Sequence, residues 1–151
     1  MAKGYIEIPQ NLLNLDRNII RAVEDAVEDC TDDLLRVATL RTPVDSRTLE
    51  QSGTSKVDKS ANNVVGQVSF SAINKGFNYA KKMNEGKYNL GEKSLTKSAR
   101  GVRSQFTTST MNVGSGYLDD TAEKCQKGYT DYINYKIYDV IAKDGFNVFK
   151  R

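Results

Sequence analysis

The sequence predicts an α+β fold: two long amphipathic helices packed on a small antiparallel β-sheet, with an N-terminal arm and a long polar loop. Three observations predict it. Apolar residues recur at spacings of three and four over residues 15–41, and again over residues 117–141. Between these stretches, residues 53–70 carry alternating and β-branched residues interrupted by "ANN". The chain has 151 residues, 38% hydrophobic and 27% charged, which fits one domain with a thin core. A thin core on a small domain is often completed by neighbouring subunits.

Residues 1–14 read as the arm. "YIEIP" alternates apolar and polar residues, which suits a short strand or an extended segment docked on a neighbour, and Pro9 ends it. The domain proper is expected over 15–145, followed by an apolar-then-basic tail, 146–151. Leu15, Ile19, Ile20, Val23, Val27, Cys30, Leu34, Val37 and Ala38 form one stripe of the first long helix. Asp16 at its start and Arg36 and Arg41 at its finish suit the helix dipole. Pro43 disfavours helix at Thr42 and stops it.

Six carboxylates on this helix, Glu24, Asp25, Glu28, Asp29, Asp32 and Asp33, read as a single face. A straight stripe cannot wrap a cation as calcium loops do, and like charges at i, i+4 repel. The face therefore reads as solvated, or as a docking surface for a basic partner. Together with Arg47 it is a candidate subunit interface.

After the helix comes "TPVDSRTLEQSG". Pro43, Val44, Asp45 and Leu49 form a structural corner: Asp45 a candidate cap, Leu49 the anchor, and Gly53 the release into a β-hairpin with Gly66 as a bulge. Residues 76–89 suit a short helix, with Phe77, Ala80 and Met83 on one side and Gly86 as its stop. Residues 87–116 carry no helical or strand period, although "SQFTTSTMNV" has room for one strand. Lys87, Lys93, Lys97, Arg100 and Arg103 oppose only Glu92 there. This segment reads as a loop, disordered or ordered by a partner, that faces a partner or DNA. From Tyr117 the second long helix begins. Asp119 and Asp120 lie in its first turn and Gly145 stops it. It carries five of the eight tyrosines, which suit core and subunit-interface packing.

Histidine is absent, which removes Ser–His and Cys–His nucleophile pairs. Asp45 with Arg47 is the one corner pair left, without a partner base. No catalytic residue, metal or cofactor is expected. Cys30 and Cys125 fall at apolar helical positions and read as buried free thiols, as in a reducing cytoplasm. "MAKGYIEIPQ" lacks the apolar run of a secretory signal, and no stretch approaches a membrane span. Residues 1–75 hold 9 Lys/Arg against 11 Asp/Glu, and residues 76–151 hold 13 against 8. An acidic first half and a basic second half suit contacts between copies, or a basic surface facing polyanion.

In this order the motifs resemble the tail-completion, or minor-capsid, proteins that sit at the head–tail junction of tailed bacteriophages. That family shows Ala/Thr-Pro-Val-Asp-Thr-Gly-x-Leu with a Ser soon after. Here Thr42, Pro43, Val44, Asp45, Leu49 and Ser52 fit, with Ser46 for the Thr. The family's Tyr-Ala followed by Glu-Gly is matched by Tyr79, Ala80, Glu85 and Gly86, and its aromatic-Leu before the last helix by Tyr117 and Leu118. The resemblance covers about residues 15–141. One position departs: Arg47 stands at the family's Gly, so a left-handed backbone is not expected there. The resemblance implies a homo-oligomeric ring, six-fold, in the virion neck, assembled in the host cytoplasm. Its partners would be connector- or portal-side proteins and tail-tube or terminator proteins, with packaged DNA passing nearby and no membrane. The alternatives are a tail terminator or head-completion protein, or, in another class, a small basic nucleic-acid-binding protein using the 87–103 cations.

Overall fold

The computed structural model describes residues 2–7, 17–44, 47–60 and 63–145. In chain order the elements are β1 (Ala2–Glu7), α1 (Arg17–Arg41), α2 (Thr48–Gln51), β2 (Gly53–Lys59), β3 (Val64–Phe70), β4 (Ile73–Asn74), β5 (Phe77–Asn78), α3 (Tyr79–Glu85), α4 (Glu92–Ser98), β6 (Val102–Arg103), β7 (Thr110–Met111) and α5 (Asp119–Val140). A π-helical turn, Ile141–Gly145, follows α5. The Pro9 stop, the start of the first helix at Leu15 and Asp16, the Asp45 cap and the 146–151 tail lie outside the described residues.

The fold is α+β, as the periodicity predicts. β1, β3 and β2 form an antiparallel sheet in that order, with Phe70 opposite both Ala2 and Gly53. Residues 2–7 of the arm are thus an edge strand of the chain's own sheet. The central strand β3 alternates strictly: Val64, Gly66, Val68 and Phe70 are buried, and the residues between them are half-buried. Helices α1 and α5 pack side by side on that inner face. Val23, Val27, Cys30, Leu34 and Val37 of α1 meet Cys125, Tyr129, Ile133 and Ile137 of α5 in one core. No helix among the described residues is long and apolar enough to cross a membrane.

Gly66 is not a bulge. It keeps regular register opposite Ile6 and Val57, and its role is to let α1 approach the sheet. A Cβ at Gly66 would lie 1.9 Å from Thr31 Oγ1. Thr31 is fully buried there, its hydroxyl donating to Val27 O at 2.6 Å.

Several expectations are corrected. The short helix starts at Tyr79, not Phe77, because Ile73–Asn74 and Phe77–Asn78 close a two-strand turn first. Phe77 is consequently exposed, and the helix buries Ala80 and Asn84. Residues 87–116 form defined structure: α4, and a β6–β7 pair with Val102 opposite Met111. They carry no apolar period because α4 is held by polar side chains, while its one large apolar residue, Leu95, is exposed. Tyr135 and Tyr138 are also exposed and take no part in this chain's core.

Adding one methyl group at Gly66 tests the approach of helix to sheet. Gly66→Ala should lower stability by about 1–3 kcal/mol through overpacking, read as a lower urea midpoint. Combining it with Thr31→Ala should recover part of the loss, because the clashing hydroxyl is then gone.

Candidate functional site

Pro43 ends α1 in a region where backbone carbonyls need partners, and the structure gathers distant residues to supply them. Lys97 of α4 donates from Nζ to Thr39 O at 3.1 Å and Thr42 O at 2.8 Å, and also pairs with Glu50. Ser94, one turn earlier, accepts the Val44 N–H at 2.8 Å. Lys97 is therefore a cap of the α1 end and not a free cation of a partner-facing loop. Leu49 anchors α2 as expected, 2% exposed. Arg47 precedes α2 with φ 63°, ψ 1°. It keeps the left-handed conformation that was not expected of it. Arg47 thereby bears a strain, of order 1 kcal/mol, that a Gly would avoid. Its side chain is exposed and makes no side-chain cap.

Two residues before the proline, Arg41 is 4% exposed and fully engaged. Nε donates to Asn112 O at 2.8 Å, Nη1 to Thr121 Oγ1 at 2.7 Å, and Nη2 pairs with Asp120 at 2.9 Å. Its own carbonyl accepts from Gly114 N at 2.9 Å. Asn84 of α3 completes the junction. Its Oδ1 accepts the N–H groups of Leu118 (3.0 Å) and Asp119 (3.3 Å), so it caps α5 from another element. The neighbouring Tyr117 is fully buried, donates to Ala80 O at 3.0 Å and stacks edge-on against Phe70. Neither Asn84 nor Ser94 stands out in the sequence, because a polar residue buried on a short helix leaves no periodic signal.

The six-carboxylate face divides. Asp25, Glu28, Asp29 and Asp32 are exposed and Glu24 is half-buried, 3.8 Å from Lys59. Asp33 is turned inward and 2% exposed. It accepts from Tyr129 Oη at 2.8 Å, from Ser104 Oγ, and from Arg36 Nη2 at 2.8 Å. Asp33 thus belongs to the α1–α5 seam and not to an outer surface. Asp29 reaches the same seam from outside, accepting from Tyr132 Oη at 2.6 Å.

The remaining corner and loop cations share a surface. Arg47, Lys93 and Arg100 line a cleft of about 860 Å³ with Leu40, Val44 and Val102. Lys87 and Arg103 are exposed elsewhere, with Arg103 Nε bonded to Thr110 Oγ1. Among the described residues, no group of three or more His, Cys, Asp or Glu is placed to hold a metal ion. The thiols of Cys30 and Cys125 are both free and buried. Burial, then Asp29 and Asp33, pushes the Cys30 thiol up to about 12, far from a reactive thiolate. Burial likewise raises Cys125, Tyr117 and Tyr129 above their ordinary values. Tyr132 is pushed up to about 12, first by its bond to Asp29 and then by burial.

In comparison with known proteins, no family model, no curated protein and no solved structure matches this chain significantly.

Asn84→Leu should cost about 1–3 kcal/mol, because two N–H groups at the α5 start lose their acceptor. A lower thermal midpoint with the helical circular dichroism retained at low temperature is the expected result. The raised thiol and phenol values set the pH response. Each of these groups stays protonated longer in the folded chain, so its contribution is complete below the ordinary value, 9.0 for Cys30. It is lost as pH rises through the raised folded value, near 12. Stability, read as the urea midpoint, should therefore lose nothing through Cys30 from about pH 7 to 9 and fall above it, by up to about 1.4 kcal/mol per pH unit for that group, with the raised tyrosines adding to the fall in the same direction.

Proposed function

We propose that this chain is a structural protein of the neck of a tailed bacteriophage, forming a six-fold ring that joins the tail to the DNA-filled head. One observation carries the reading. The three short motifs of the resemblance lie far apart in sequence and meet at one junction. The α1 end with its Pro43 corner is tied through Arg41 to residues 112–121. The Tyr79-Ala80 helix is tied through Ala80 O and Asn84 to Tyr117 and Leu118. Arg47 holds the left-handed turn at the position where the family has Gly. Motifs that converge are what a shared fold requires, whereas chance similarities would scatter over the surface.

The role is one of assembly and not catalysis. The polar groups buried at the junction are engaged in holding helix ends, and the strongly shifted groups are shifted chiefly by burial or by structural hydrogen bonds. The ring would sit between connector-side and tail-side proteins in the virion. DNA passing through asks only for a tolerant lumen, not for base readout.

A nonsense mutation in the gene of the producing phage is the direct test. Electron microscopy should then show filled heads and free tails that fail to join, and purified wild-type particles should carry the chain as a ring in the neck. Normal joined particles from the mutant would overturn the proposal.

A further inference from the structure

The outer stripe of α1 and the corner cleft lie on one face of the molecule. At 100° per residue, Asp25, Asp29, Asp32 and Leu40 project within about 80° of one another. Leu40 at the far end of that stripe is also a wall of the cleft. The acidic stretch Asp25–Asp32 is centred about 20 Å along the helix from the corner at its C-terminal end. The face is therefore acidic over one half and cationic over the other.

The charges on both halves are available. Asp25, Glu28 and Asp32 are exposed, as are Arg47, Lys93 and Arg100. None of the six has an ion-pair partner among the described residues, whereas the neighbouring Asp33–Arg36 and Lys97–Glu50 pairs are closed internally. The cleft also offers apolar surface from Leu40, Val44 and Val102, with Leu40 exposed by 42%. Two carboxylates also line the cleft, Glu50, which is closed by Lys97, and Glu92, so its outward charge is three unpaired cations against one exposed carboxylate. A concave floor with apolar surface and a net cationic rim calls for an acidic occupant that is convex and partly apolar.

We propose that the occupant is a second copy of this chain, paired antiparallel across α1 about a two-fold axis near Arg36. Rotating one copy by 180° about that axis lays its Asp25–Asp32 stretch over the partner's cleft. By symmetry the partner's carboxylates lie over its own cleft. Both contacts form together, so complementarity is satisfied twice by one patch. A head-to-tail contact would need its two halves on different sides of the molecule, which is not where they are. The pairing uses the α1–α4 face and leaves the outer face of the sheet free. A six-fold ring needs head-to-tail contacts, so the ring of the neck proposal would use other surfaces than this face, and the pairing does not rest on that proposal.

Sedimentation of the full chain with charge-swapped variants tests this pairing. The wild type should form dimers at low ionic strength, with a dissociation constant rising about tenfold or more from about 50 mM to about 300 mM salt. The Lys93→Glu/Arg100→Glu variant and the Asp25→Lys/Asp32→Lys variant should each be monomeric. An equimolar mixture should dimerise again, since reversed cleft meets reversed stripe. Should a variant fail to fold, the wild type alone still decides. A carbodiimide should link Lys93 to Asp25, Glu28 or Asp32 between isotopically distinct copies. A monomeric wild type at low salt would overturn the pairing, as would growth into open chains or the absence of intermolecular links. So would a monomer whose cleft instead retains an oligonucleotide in a Lys93- and Arg100-dependent way. None of these results bears on the neck, which the nonsense mutant tests separately.

Discussion

A buried guanidinium accepts no deprotonation as a way out, so the surroundings of Arg41 must present acceptors wherever its N–H groups point. They do so with Asn112 O, Thr121 Oγ1 and the Asp120 carboxylate, all contributed by residues some seventy or eighty positions away. That requirement holds the segment entering α5 against the end of α1. The same segment is then available to be capped by Asn84 and to bury Tyr117 against Phe70. Were the Arg41 partners dispersed, a buried charge would stand uncompensated, at a cost of several kcal/mol. The corner, α3 and the start of α5 therefore behave as one unit.

Two turns before Arg41, α1 carries a second buried charge. Asp33 lies in the seam with α5, where Tyr129, Ser104 and Arg36 satisfy it. These three partners come from three parts of the chain, so the carboxylate also fixes where the segment after β6 crosses the helices. Just before Asp33, Thr31 meets Gly66 and brings the helix close to the central strand. A thin apolar core is thus supplemented by polar ties at the C-terminal end and in the body of one helix, each demanding in geometry because a partly satisfied network costs more than an apolar one.

Charge left over from these ties is what faces outward. Lys97 and Asp33 are consumed internally, whereas Asp25, Glu28 and Asp32 on one side and Arg47, Lys93 and Arg100 on the other stay exposed on one face. These outward charges are the feature on which the proposed contacts with other chains rest. The neck proposal and the self-complementary face each stand without the other.

Much of the architecture is legible in the chain. The stripes of α1 and α5, the Pro43 stop, the Leu49 anchor and the β2–β3 hairpin all follow from periodicity and from local backbone preferences, which act through near neighbours. Other features escaped such reading because they depend on residues brought together from afar. Helix α4 has no apolar stripe, being fastened through Ser94 and Lys97 to the corner. Asp33 resembles its five acidic neighbours until α5 closes over it, and Gly66 resembles a bulge until Thr31 is placed against it. Arg47 takes a left-handed conformation that its own side chain disfavours, at the entry to α2. Local free energies set which segments are helix and strand. The position of each buried polar group was settled by packing, since its partners exist only once distant segments have met.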